Sequence, residues 1–149
     1  MASLYSDLAM GDANEQECHR ALENYSGCRL IKRGKYDTMD FASDNEDVYM
    51  ELKSRRIRHN QYPTAIIGGN KIDFCQTFHN VTAPNPPKCI FAFCYTDGLY
   101  AIEYKPELFA QFERRGDYWR GTRAGIANRA QDVVFIPVEH LVKINNSET

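Results

Sequence analysis

The stretch that most constrains the fold is a pair of apolar runs joined by a tight turn. Cys89–Tyr95 and Leu99–Tyr104 flank Asp97-Gly98, and an Asp-Gly pair between alternating apolar residues is a strong signal for a β-hairpin. With 149 residues, 43% of them hydrophobic, the chain is long enough for one well-buried core. We therefore expect one domain, built around a sheet, over residues 1–149.

The first half of the chain predicts a helix followed by a β-meander. Between residues 11 and 26, apolar residues recur at the spacing of one helical stripe. The stripe consists of Cys18, Ala21, Leu22 and Tyr25. Gly27 is a suitable stop for this helix. Short strands are expected over 28–31 and 36–42, and an acidic turn then leads into a strand over 48–53.

The second half adds both helical and strand signals. Apolar positions after a Gly-Gly break predict either a short helix or an irregular packed segment; they are Ile72, Cys75 and Phe78. Pro106 suits the first turn of a helix, expected over 107–115. A Gly- and Arg-rich loop then reaches Gln131, and residues 133–144 are expected to form a strand or strand pair. The chain thus belongs to the mixed α/β class.

Charge is unevenly distributed along the chain. Residues 1–51 carry 11 acidic and 5 basic side chains, whereas residues 52–149 carry 9 acidic and 13 basic ones. The net charge of −2 argues against a non-specific binder of polyanions. Basic runs usually form a solvated face, but the run over 53–58 directly follows a carboxylate and is a candidate for phosphate binding. A second basic cluster contains Arg114, Arg115, Arg120, Arg123 and Arg129, with Tyr118 and Trp119 interleaved.

Several classes of protein are disfavoured by what the sequence lacks. Its apolar runs are far shorter than the ~20 residues of a membrane-spanning helix, and the N-terminus has no signal-peptide pattern. We therefore expect an intracellular protein without a membrane partner. The five cysteines contain no C-x-x-C pair, which predicts free thiols. Strand alternation explains Cys89 and Cys94 better than a zinc site does.

The candidate chemistry lies in a set of carboxylates with a lysine. Alternation in a strand places Glu51 and Lys53 on the same face, Asp40 lies upstream across one turn, and Glu15 lies in the predicted first helix. Carboxylates that hold Mg²⁺ beside a lysine can neutralise a phosphate and supply a deprotonated water. The backbone carbonyl of Leu52 is a further oxygen donor.

The spacing of these residues resembles the PD-(D/E)XK nuclease superfamily, over about residues 11–80. The resemblance implies a restriction-endonuclease-like αβββαβ core with a mixed central β-sheet flanked by helices, here followed by a further hairpin, helix and strand. It implies an endonuclease that depends on Mg²⁺, with Mn²⁺ as substitute, and cuts DNA in preference to RNA. Asp40, Glu51, Leu52 and Glu15 would hold the metal, and Lys53 would position the attacking water.

The motif leaves alternatives at several positions. A second E-x-K occurs at Glu103-Tyr104-Lys105 with Asp97 upstream, but the Asp-Gly turn already explains Asp97. Met39 stands where the superfamily has proline, and Asp37 competes with Asp40 as the first ligand.

The role of Glu15 is also open. It is equally suited to a capping box with Asp12, and Glu17 is a weaker alternative for the site. If Glu15, Asp40 and Glu51 converge without a metal, their repulsion predicts that Glu51→Gln leaves the protein as stable or more stable.

The partner predicted from the sequence is nucleic acid. Four cations downstream of the motif are candidates for phosphate contacts, namely Arg55, Arg56, Arg58 and Lys71. A non-catalytic binding module that retains the fold is the main rival. An RNA endonuclease of the cap-snatching type is a second rival, because that type has a histidine on the first helix and this chain has His19. Whether the chain forms a homodimer stays open.

Overall fold

The computed structural model describes residues 16–81, 85–119 and 130–144. The first part contains α1 (residues 16–26), β1 (Ile31–Lys32), β2 (Phe41–Ala42), β3 (Val48–Ser54), β4 (Thr64–Gly68) and α2 (Gly69–Val81). The rest contains β5 (Lys88–Tyr95), β6 (Gly98–Glu103), α3 (Pro106–Phe109), β7 (Glu113–Trp119), β8 (Ala130–Pro137), a 3-10 turn (Val138–His140) and β9 (Val142–Ile144).

The strands of the described residues form two sheets. The larger has the order β1-β2-β3-β5-β6-β9, and the smaller has the order β4-β8-β7. β3 pairs with β5 in parallel, which requires a crossover connection, and β4 with α2 supplies it. The predicted α/β fold with a mixed central sheet is confirmed, with β4 inserted into the αβββαβ order.

The central strands are buried on both faces. On one side, Leu22 of α1 shares a core cluster with Met50 of β3. On the other side, Cys75 of α2 and Ile136 of β8 share a second cluster with Phe91 of β5. Because both faces are covered, a charged side chain in the middle of β3 cannot simply turn towards solvent.

Helix α1 ends where the sequence predicts. Gly27 has a φ of 74°, and its N–H donates to the Glu23 carbonyl oxygen at 2.9 Å, a typical left-handed helix end. The predicted stripe is confirmed for its first three members, but Tyr25 is 44% exposed and does not belong to it. Helical spacing predicts on which side of the helix a residue lies. It does not predict whether the opposing layer extends far enough to cover that residue.

After Pro106 the structure differs from the helix predicted from the sequence. The helix expected over 107–115 ends at Phe109, and Glu113–Trp119 forms β7. Arg114 pairs with Val134 of β8, so tertiary pairing overrides the local helical signal. The expected final strand pair exists as β8 and β9, but these strands belong to different sheets.

The first two strands are shorter than expected, with two residues each. The chain between them turns, since the Asp37 carboxylate accepts the Gly34 N–H at 2.9 Å, and such side-chain bonds favour turns over strands.

The predicted hairpin is confirmed as β5 and β6, with Tyr95 opposite Gly98. Its turn also holds the loop between β3 and β4. The Asp97 carboxylate accepts the His59 N–H at 2.8 Å and contacts the His59 Nδ1 at 2.6 Å. These bonds lower the pKa of Asp97.

Among the described residues, no helix has both the length and the apolar composition that crossing a membrane requires.

We expect Gly69→Ala to destabilise the protein although alanine is the better helix former. An added Cβ would lie 2.7 Å from Arg114 Nη2 and would also clash with the Asp132 carboxylate, so it must separate a doubly hydrogen-bonded pair. Urea denaturation should show a loss of about 1–2 kcal/mol. Gly116→Ala is the control, because a Cβ there meets no atom within 4 Å. Equal stability of both variants would contradict the prediction.

Candidate active site

Strand β3 carries Glu51 into the protein interior. Tyr49, Glu51 and Lys53 share one strand face, and Tyr49 stacks on Phe78 of α2 with ring centroids 5.2 Å apart. The face that carries Glu51 is therefore the face covered by α2. Glu51 is 1% exposed, and among the described residues Glu51 and Ser43 are the buried polar ones.

Two lysines flank the Glu51 carboxylate. Lys53 Nζ lies 3.1 Å from Oε2, and Lys71 Nζ lies 3.4 Å from Oε1. Glu51 Oε1 is buried and accepts no hydrogen bond from the described part of the chain. A buried carboxylate oxygen without a hydrogen bond is costly unless a cation compensates it; Lys71 is the nearby cation, and the oxygen can still accept a further ligand.

Lys71 reaches Glu51 from the first turn of α2. Its Nζ also donates to the backbone carbonyl oxygen of Thr38, and its side chain is 18% exposed. The sequence predicts a phosphate contact here. The structure places the ammonium against the candidate metal ligand Glu51, and Lys71 also lines the adjoining cleft.

Asp40 lies at the edge of the sheet, where β2 begins. Its Oδ2 accepts the Leu52 N–H at 3.0 Å. Because Phe41 opposes Met50, a longer β2 would have placed Met39 opposite Leu52, and a backbone carbonyl would have taken this bond. The Asp40 side chain thus replaces a ladder partner and is held beside β3.

Leu52 adds a third oxygen to this edge. In a strand, the N–H and C=O of one residue point towards the same neighbour. The Leu52 carbonyl therefore points to the edge where its N–H meets Asp40, and Glu51 precedes it in the chain. Asp40 and the Leu52 carbonyl therefore share this edge, and they are two of the oxygen donors predicted from the sequence.

The environment of Asp40 also corrects one inference. Regular strand alternation predicts Met39 and Phe41 on the same inward face, with Asp40 on the other; in the structure they belong to opposite core clusters, because the chain bends before β2. The alternative ligand Asp37 contacts Gly34 and Arg33 in the preceding turn. Asp40 rather than Asp37 therefore contacts β3.

The donor atoms fit a hard divalent cation. Carboxylate and carbonyl oxygens are the ligands that Mg²⁺ prefers, and Glu51 Oε1 is a buried oxygen without a hydrogen bond. Among the described residues no group of three Asp, Glu, His or Cys side chains could hold a metal. The candidate third carboxylate, Glu15, lies outside the described residues.

A cleft of about 580 Å³ opens beside Lys53 and Lys71, the two lysines that contact Glu51. Cations line one part of it, namely Lys53, Arg55 and Lys71. Asp73 and Asp132 line another part, together with Asn70 and Gln131. A smaller cleft of about 210 Å³ contains Asp40 and Leu52, so the candidate site lies where β3 approaches both openings.

The predicted phosphate contacts on the β3–β4 loop are held at the surface. Arg56 and Arg58 are exposed, and Arg55 is partly exposed. The loop backbone is fixed, since the Arg55 N–H donates to Cys94 O at 2.9 Å and the Ile57 carbonyl accepts from Thr96 at 3.0 Å. A fixed loop presents these cations without a large ordering cost on binding.

Sequence reasoning missed a clamp at the far wall of the cleft. Arg114 donates to Asp73 from Nη1 and Nη2 at 2.9 and 3.0 Å, and to Asp132 from Nε and Nη2 at 2.9 and 2.6 Å. These bonds raise the pKa of Arg114 and lower that of Asp132. The clamp joins β7, α2 and β8, and no local pattern links its three members.

The second E-x-K copy has a different geometry. Asp97 lies in the turn directly before β6 and Glu103 is the last residue of β6, and six residues of strand span roughly 20 Å. Asp97 is also bound to His59. The structure thus brings Asp40 next to the strand of Glu51 and Lys53, and does not bring Asp97 next to Glu103.

The two lysines reverse the expected effect of Glu51→Gln on stability. Repulsion among carboxylates predicts a neutral or stabilising change, but in the structure the change would leave two ammonium groups facing a neutral amide. We expect a loss of about 1–3 kcal/mol in urea denaturation without metal. Glu103→Gln, in the second E-x-K, is the matched control and should change stability little. A more stable Glu51→Gln protein would show that the lysines do not compensate the carboxylate.

Comparison with known proteins agrees with this arrangement. The family model described as "Phage putative PDDEXK endonuclease" matches residues 6–144, which includes the helix α1, the E-x-K strand and both sheets. No curated protein matches the chain at a significant level. Since the family model spans nearly the whole sequence, the chain belongs to this phage PDDEXK endonuclease family.

Proposed function

We propose that this protein is a metal-dependent endonuclease that hydrolyses phosphodiester bonds, with DNA as its preferred substrate, and that residues 1–149 act as one domain. The observation that carries the proposal is the buried Glu51 carboxylate, which has an unbonded oxygen and lies beside Lys53. A purely structural ion pair has no need of such burial, because pairs on an exposed strand face form at lower cost.

The metal ligands in this proposal are Asp40, Glu51 and the Leu52 carbonyl, with Glu15 as a further candidate. A bound Mg²⁺, or Mn²⁺ in its place, would supply charge neutralisation for the phosphate and a more acidic water. The chain itself holds Glu51 by burial and Asp40 by the Leu52 N–H. Both carboxylates are thus oriented before substrate arrives.

Lys53 has the second role in the proposal. Its side chain is 32% exposed and lies 3.1 Å from Glu51 Oε2, and it lines the larger cleft. An ammonium in this position can donate to a water or to a phosphate oxygen that enters the cleft. Lys53 would therefore orient the attacking water next to the carboxylate.

The choice of DNA over a cap-snatching type of RNA cleavage rests on His19. That type has a histidine on its first helix. Here the His19 Nε2 lies 2.7 Å from the Leu30 carbonyl oxygen and 3.4 Å from Glu23, and its ring packs against Phe41 at 4.8 Å. These contacts use His19 to join α1 to the sheet.

The non-catalytic rival predicts binding without turnover. The complete set of Asp40, Glu51 and Lys53 favours the enzyme, because a module that only binds gains nothing from a buried carboxylate beside a lysine. Cleavage of an oligonucleotide panel separates the two functions.

We expect cleavage of duplex, single-stranded or branched DNA with Mg²⁺ or Mn²⁺, and none in excess EDTA. Asp40→Asn and Lys53→Ala should each lower the rate by at least about 100-fold. Lys105→Ala, from the second E-x-K, is the matched control and should retain activity. Undiminished cleavage in EDTA, or loss of activity in Lys105→Ala alone, would refute this assignment. An RNA panel measured in parallel tests the preference for DNA.

Nucleic-acid binding should depend on the β3–β4 loop. In EDTA, which prevents cleavage, Arg56→Ala and Arg58→Ala should each weaken binding of a labelled oligonucleotide and lower the salt slope by about 1. Arg29→Ala is the control, since Arg29 is also exposed but follows α1, which covers the opposite face of the sheet. Fluorescence anisotropy at several salt concentrations gives both quantities. If Arg29→Ala weakened binding as much as the two loop variants do, the β3–β4 loop would not be a specific binding site.

A further inference from the structure

Lys71 is a charged residue whose contacts are not explained by phosphate binding. Its Nζ lies 3.4 Å from Glu51 Oε1 and donates to the Thr38 carbonyl oxygen. A lysine that serves only as a surface phosphate contact would extend into solvent, where its ammonium is best hydrated. Here the side chain is 18% exposed and lies between α2 and the sheet.

The two partners of Lys71 belong to the two segments that carry the candidate metal ligands. Glu51 is itself a ligand candidate on β3. Thr38 lies two residues before Asp40, in the bent segment that precedes β2. One ammonium group therefore joins α2, β3 and the segment of Asp40.

Lys53 alone does not satisfy the Glu51 carboxylate. It contacts Oε2, whereas Oε1 is the oxygen without a hydrogen bond, and Lys71 is the cation next to Oε1. In a buried setting, a second charge partner compensates the part of the carboxylate that the first does not reach. The two lysines thus contact different oxygens of the same carboxylate.

We propose that Lys71 is a positioning residue of the active site, which orients Glu51 and holds the Asp40 segment against β3. Its effect on metal binding and turnover rests on the proposed nuclease function. Its effect on the apo-protein rests on the contacts of Lys71 alone. The rival assignment is a phosphate contact, which the cleft position of Lys71 also permits.

A double-mutant cycle without metal or substrate tests the structural part. In EDTA, Lys71→Met should lower the melting temperature by about 5 °C, because it leaves Glu51 Oε1 without a cation. In the Glu51→Gln background the same change should cost less than half of this shift, since the charge partner is gone. Lys88→Met is the control for loss of an exposed lysine. Equal shifts in both backgrounds would overturn the proposal.

A second variant protects this test against loss of folding. If Lys71→Met does not fold, Lys71→Gln is used in the same cycle, because its neutral amide retains a hydrogen-bond donor on this side of Glu51. The expected coupling with Glu51 is the same, and its absence would again overturn the proposal.

Mn²⁺ affinity, measured by calorimetry, shows whether Lys71 orients the metal ligands or only adds a positive charge near them. Removal of a nearby positive charge should by itself tighten cation binding, whereas loss of a residue that orients the ligands weakens it about 10-fold or more. We expect weaker binding in Lys71→Met and no change in Lys88→Met. Unchanged or tighter binding in Lys71→Met would overturn the positioning role.

Kinetics distinguish the phosphate contact from the positioning residue. We expect Lys71→Met to lower kcat about 10-fold or more, with oligonucleotide affinity in EDTA within about twofold of the wild type. A phosphate contact predicts weaker oligonucleotide binding with kcat retained, and that result would overturn the proposal. An inactive wild type would refute the nuclease function, and the melting cycle would still test the contacts of Lys71.

Discussion

The burial of the Glu51 carboxylate between the central sheet and α2 is the constraint on which the site depends. Glu51 is 1% exposed, and a carboxylate removed from water requires cations or hydrogen bonds within the protein. Lys53 from β3 and Lys71 from α2 provide the cations. The packing of α2 on the sheet is thus coupled to the charge of one side chain.

That packing follows from the parallel pairing of β3 with β5. A parallel pair needs a crossover, and the crossover of this chain contains β4 and α2. It places α2 over the face that carries Tyr49, Glu51 and Lys53, while α1 covers the opposite face. The fold therefore places the second half of β3, which carries Glu51 and Lys53, at the edge of a core, where it forms a polar site.

The outer wall of the cleft is built in another way. Arg114 binds Asp73 and Asp132 with two hydrogen bonds each, and paired N–H donors fix the orientation of both carboxylates. The smaller sheet is thereby joined to α2 at the helix end where Lys71 lies. Membership of the phage PDDEXK endonuclease family agrees with an E-x-K strand whose lysine lines a cleft.

The sequence by itself determined the hairpin, the helix stop at Gly27 and the alternation that pairs Glu51 with Lys53, because these depend on local backbone preferences and on neighbours two residues apart. It also determined the family, since the order and spacing of the motif residues along the chain can be read without any tertiary contact. It could not give the strand at 113–119, where pairing with β8 outweighs local propensity. Only the tertiary structure decided that Lys71 faces Glu51, since 19 residues that include β4 lie between them, and no periodicity reaches across such a connection.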